Sequence, residues 1–145
     1  MIYKFGQLLL LLILFFACSI GNHELRETKV LDLTEDFDGE LILYEIGTIE
    51  TGDQAILRLQ LRNAMKHPVI IQEVRRFCGC TKAEFDSLPI MAEKTSVIKV
   101  EFVADQPGIF SKSVKIFLNS QKQPIELKLR GEAIQSSARA NKSAY

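Results

Sequence analysis

The sequence has no tryptophan, only two histidines and three cysteines, and no surplus of either charge: 18 Lys and Arg face 18 Asp and Glu. Each shortage removes a class of function. A zero formal net charge without a basic stripe excludes an electrostatic nucleic-acid binder, which needs clustered cations to release counterions from phosphates. His23 and His67 have no Ser, Cys or carboxylate at a spacing that would make a nucleophile pair, so both read as solvated polar residues. There is no Gly-rich phosphate loop, no His-Glu-x-x-His and no paired-carboxylate motif, so the chain reads as a non-enzyme without a cofactor. The longest apolar run, 8–16, falls well short of the roughly 20 residues a spanning helix needs. What is present is 47% apolar content in 145 residues, which suits one packed domain and argues against disorder.

The apolar run carries an address. Lys4 is the only charge before it, and it ends at Phe15-Phe16-Ala17-Cys18. A basic start, a short apolar core and a small residue before the cut make a secretory signal. The ending resembles a bacterial lipobox, with Phe15 where Leu is usual. That resemblance implies that 1–17 is a lipoprotein signal peptide, helical over 3–17 in the precursor, and that Cys18 becomes the lipidated mature N-terminus. Cleavage removes Lys4 and leaves 17 basic against 18 acidic side chains, so no polybasic patch would help the lipid hold a membrane. Ser19, rather than Asp, after the cysteine resembles sorting to the outer membrane more than retention at the inner one.

Residues 18–40 read as a polar tether with a candidate short strand at 29–33; its acidic cluster Glu35-Asp36-Phe37-Asp38-Gly39-Glu40 lacks the spacing of an EF-hand and reads as solvated charge. From Leu41 the pattern changes to period two. Leu57, Leu59 and Leu61 alternate with Arg58, Gln60 and Arg62; Ile98, Val100 and Phe102 with Lys99 and Glu101; and Val114, Ile116 and Leu118, then Ile125, Leu127 and Leu129, each share a face. Alternation of this kind marks strands with one face on a core and one in water. Turn signals separate them at 51–53, 63–68, 105–108 and 119–124. With no helical stretch between, the expected fold is an all-β antiparallel sandwich of about seven strands over 41–133. At 69–74 the alternation breaks, which predicts a bulge or an edge. Residues 134–145 read as a disordered tail, and the glycosylation sequon at Asn141 carries no meaning in a bacterial lipoprotein.

Four marks in this segment match a known pattern: Ile46-Gly47-Thr48-Ile49 with Gly52; Leu61-Arg62-Asn63 with Pro68-Val69-Ile70-Ile71; Phe77-Cys78-Gly79-Cys80-Thr81; and Gly108-Ile109-Phe110-Ser111-Lys112-Ser113-Val114 with Gly131-Glu132-Ala133. They resemble the domain of unknown function 1573 family, common in exported Bacteroidetes proteins. More broadly they are similar to the immunoglobulin-like domains of the major sperm protein, PapD and ASPM–SPD2–Hydin group. The resemblance implies an immunoglobulin-like sandwich and no activity, since the family has none established. Met91-Ala92-Glu93-Lys94 departs from it, standing where the family usually has a Pro-Gly turn.

Cys78 and Cys80 are the chemically suggestive pair, and three readings stay open. They could fill the core beside Phe77. They could join in a small-ring disulfide with a redox role, Gly79 permitting the bend. They could also hold soft Cu(I) or Zn, with Met65, Met91 or His67 as further ligands. Arg75, Arg76 and Lys82 are the sequence neighbours that would activate a thiolate. The leading expectation is non-catalytic: a lipid-tethered module docking another envelope protein through an exposed strand edge. The candidate surfaces are 69–76, with Ile70, and the outer face of 113–118, with Phe117 and Lys115.

Overall fold

Period-two patterning becomes two facing sheets of four strands each. A computed structural model describes residues 25–136. The signal segment, Cys18, His23, the sequon and the end of the tail lie outside the described residues. The strands are β1 (Leu25–Leu33), β2 (Glu40–Glu50), β3 (Gln54–Asn63), β4 (Ile71–Arg76), β5 (Thr81–Glu84), β6 (Thr95–Val103), β7 (Gly108–Leu118) and β8 (Ile125–Ile134). One sheet runs β1-β3-β6-β5 and the other β2-β8-β7-β4. The alternating apolar positions meet between them: Leu57, Leu59, Leu61, Ile98 and Val100 from the first sheet, and Val114, Ile116, Ile125, Leu127 and Leu129 from the second, all fully buried. Each such Leu, Ile or Val contributes about 1.5–3 kcal/mol through burial.

Three expectations need correction. The sandwich starts at Leu25, not Leu41, because β1 pairs with β3 along its whole length and buries Leu31 and Leu33. The acidic cluster is likewise docked on the domain: Phe37 packs on the core, and Asp38 Oδ1 accepts the N–H groups of Lys122 and Gln123 at 3.1 and 3.2 Å. Glu35 faces His67 at 3.4 Å and Glu40 faces Lys29 at 3.6 Å. Only 19–24 therefore separate Cys18 from the first strand. Finally, the sheets are antiparallel except at two edges, where β1 runs parallel to β3 and β2 parallel to β8. Alternation records which face of a strand is buried, not which way the strand runs.

The break at 69–74 is both a bulge and an edge. β4 is the outermost strand of its sheet, and its register against β7 shifts between Ile71 and Glu73. Gly131 allows a close approach on the opposite side: a Cβ there would lie 2.7 Å from the Phe110 ring and 2.8 Å from the Gly47 carbonyl. Phe110 can thus lie across the strand and stack on Phe102, with centroids 4.8 Å apart.

The Met91-Ala92-Glu93-Lys94 turn forms without its Pro-Gly pair. Lys94 N–H donates to the Met91 carbonyl at 3.0 Å, and Glu93 takes φ 59°, the left-handed region that costs a side-chain-bearing residue about 1–2 kcal/mol. Part of that strain is offset because glycine loses more freedom on folding. Glu93→Gly is therefore expected to stabilise the domain by about 0.5–1 kcal/mol, read as a higher urea midpoint at unchanged m-value.

Candidate functional site

β4 ends in one sheet at Arg76 and β5 begins in the other at Thr81, so 77–80 carry the chain across the sandwich. Within this crossing Cys78 and Cys80 are joined by a disulfide, with Cα atoms 5.4 Å apart. The crossing turns instead of running extended, which brings the two Cα atoms within ordinary disulfide reach. Arg76 Nη1 donates to the Thr81 carbonyl at 3.2 Å and braces the same crossing. Closing only three residues removes little unfolded-state entropy, about 1.6 kcal/mol on the chain-entropy scale against about 3 for a 15-residue loop. Global stability therefore gains little from this bond.

The surroundings of the two sulfurs differ. Both are half-buried, and Cys80 packs against the core. The buried Thr81 hydroxyl lies 3.1 Å from Cys78 Sγ and 4.0 Å from Cys80 Sγ, within hydrogen-bond reach of either. Cys78 opens on a recess of about 190 Å³ shared with Phe77, Ser111, Lys112 and Ser113. Cys80 opens on a second one with Gly79, Lys82, Glu101, Val103 and Asp105. Gly79 does not supply the bend through special backbone freedom: its φ is not left-handed and an added Cβ would meet nothing within 4 Å.

The cations foreseen from sequence are mostly engaged elsewhere. Arg75 makes two hydrogen bonds to Glu73, at 2.9 and 2.8 Å, and stacks 4.9 Å over Phe117; those bonds hold the Glu73 carboxyl below its usual range. Lys82 lies on the Cys80 side. The lysine that lines the Cys78 recess is instead Lys112 on β7, with no carboxylate partner among the described residues. One sequence signal could have found it: Lys112 has the same parity as Val114, Ile116 and Leu118, so a charge stands on the apolar face of its strand.

The other sequence-derived candidates do not gather here. Met65 is buried in the core, Met91 lies in the turn before β6, and His67 faces Glu35. Among the described residues no cluster of three or more His, Cys, Asp or Glu could hold a metal. Ile70 is tied down, its N–H donating to Asn119 Oδ1 at 2.7 Å and its carbonyl accepting the Asn119 N–H at 3.1 Å. Phe117 is half-buried beneath Arg75. β4 also has the features by which edges avoid pairing: it is short, bulged and charged. β2, the opposite edge of that sheet, is also bulged, between Glu45 and Gly47, and carries charge, but it is not short. It has eleven residues and turns Leu41 and Leu43 outward, 61% and 46% exposed. Sequence reasoning missed it, because strand order is invisible in the pattern.

One row across the first sheet, Leu25, Ala55, Phe102 and Thr81, places the disulfide at the end of the sandwich where β1 begins. No helix among the described residues is long and apolar enough to cross a membrane.

Comparison with known proteins supports the fold. The model of one family, described as a protein of unknown function (DUF1573), matches residues 39–133. A protein of unknown function from Porphyromonas gingivalis W83 superposes with a TM-score of 0.54 at 16% identity, over 62% of this chain and 43% of that one. The chain thus spans less than half of that relative. The seventh PapD-like domain of human CEP192 superposes with a TM-score of 0.56 at 11% identity, over 68% of this chain and 84% of that domain. Both likenesses concern the immunoglobulin-like fold alone. A search of curated proteins finds no match.

Proposed function

The chain belongs to the DUF1573 family of proteins of unknown function, and from that premise we propose that it is a non-catalytic immunoglobulin-like module, tethered to a bacterial membrane by lipid on Cys18, that docks an envelope protein. The tether rests on the lipobox-like end of the leader, and Ser19 favours the outer membrane. The docking reading rests on the outer edge of β2, where an eleven-residue strand has no strand beside it among the described residues and Leu41 and Leu43 face solvent. Unpaired N–H and C=O groups beside apolar side chains form a template for another strand. A partner segment adding there would complete the backbone ladder and cover both leucines.

Photo-crosslinking in intact cells tests this. A crosslinker at Leu43 is expected to give a discrete protein adduct, whereas one at Phe117 gives none. Leu41→Lys with Leu43→Lys is expected to abolish binding of the same partner while leaving thermal stability nearly unchanged, because both side chains are already in water. No adduct above background at Leu43, or equal adducts at both positions, would remove the β2 reading.

A further inference from the structure

The geometry points to a chemical activity beyond docking: the Cys78–Cys80 disulfide undergoes thiol–disulfide exchange with a protein dithiol, and Cys78 is the sulfur attacked. The bond lies at a crossing between sheets, half-buried, with each cysteine lining a recess. Disulfides that a thiol can reach are more labile than fully buried ones. The choice of sulfur follows from charge. Lys112, which has no ion-pair partner among the described residues, lines the recess at Cys78 and also one that it shares with Asp105, whereas the recess at Cys80 is lined by Asp105 and by Glu101, itself paired with Lys99, besides Lys82. An incoming thiolate is an anion, so it is attracted to the recess at Cys78 and opposed at that of Cys80.

The exchange balances as follows. The partner thiolate attacks Cys78 Sγ; the new mixed disulfide forms as the Sγ–Sγ bond breaks, and the electron pair goes to Cys80 Sγ. The buried Thr81 hydroxyl, already within reach of both sulfurs, can donate to that leaving thiolate before solvent supplies the proton the attacking thiol gave up. A second thiolate of the partner then attacks the partner's own sulfur in the mixed disulfide and expels Cys78. The partner leaves as a disulfide, oxidised by two electrons, and Cys78 and Cys80 are left as thiols. Lys112 and Thr81 are positioning residues in this scheme.

The test uses the whole mature chain and reduced glutathione as the probe thiol, with acid quenching and mass analysis. Reduction of the folded chain is expected to be about tenfold faster than that of the same chain unfolded in urea, after correction for urea's effect on a small disulfide. Lys112→Gln is expected to slow it three- to tenfold and to flatten its dependence on ionic strength, at unchanged melting temperature. With oxidised glutathione, Cys80→Ser is expected to form a mixed disulfide at Cys78 about tenfold faster than Cys78→Ser forms one at Cys80. A disulfide reduced no faster folded than unfolded would overturn the proposal. So would faster reaction at Cys80, or a Lys112→Gln rate and salt dependence equal to wild type. Glutathione needs no docking partner, so these outcomes are independent of the β2 reading.

Discussion

Asn63→Ala is expected to destabilise the domain by about 2–4 kcal/mol, a larger effect than its position at the end of a strand suggests. Asn63 is fully buried, and its one side chain ties three segments together. Nδ2 donates to the His67 carbonyl at 2.9 Å and to the Ile90 carbonyl at 2.8 Å, while Oδ1 accepts the Met65 N–H at 2.9 Å. The backbone contributes as well: Asn63 N–H donates to Lys94 O, and Glu93 N–H to Asn63 O. Alanine keeps these backbone bonds but leaves the Met65 amide and the His67 carbonyl without their partner. Each buried group left unsatisfied costs about 1–3 kcal/mol. The Ile90 carbonyl suffers less, since it also accepts the Val69 N–H at 3.0 Å. For a domain of this size the loss corresponds to a melting temperature about 10–20 °C lower. A fall of less than 1 kcal/mol in urea unfolding would mean that the two loops are held together by something other than this amide.

Cys18→Ser is expected to move the protein from the membrane fraction to the soluble one almost completely. The mature chain would carry 17 basic and 18 acidic side chains, so surface charge offers nothing to replace the lipid. Each buried methylene is worth about 0.8 kcal/mol, and a second acyl chain turns marginal attachment into stable anchoring. Fractionation with metabolic lipid labelling checks this directly, and a variant that stays on membranes without label would refute the lipid anchor. Because β1 starts at Leu25, the seven chain links from Cys18 reach at most about 25 Å. On this reading the end of the sandwich with the disulfide, and with Ile109 at 90% exposure, is the end nearest the membrane.

The candidate site was legible in part. Cys78 and Cys80 stood out by residue type, yet their bonded state depends on how the backbone turns between two sheets, which spacing leaves open. Lys112 is thirty-odd positions away in sequence and lines the Cys78 recess only because β7 and β4 are neighbours in one sheet. Arg75 and Arg76, close in sequence, are taken up by Glu73 and by the Thr81 carbonyl. Proximity along the chain was a poor guide to proximity in space.

By itself the sequence determined the all-β class and the buried face of most strands, because these rest on local physics: side-chain period and turn chemistry. Leu57, Leu59 and Leu61 had to face a core whatever lay opposite them. Tertiary structure alone decided strand order, the two parallel edge pairs, the inclusion of β1 in the sandwich, and which edges stay free. Those outcomes depend on contacts between segments far apart in the chain. Leu31 and Leu33 suggest a short strand at 29–33, but nothing local places it in the sandwich until β3 provides a ladder beside it. β2 is an edge only because β8 pairs with it on one side and nothing in the sheet pairs with it on the other.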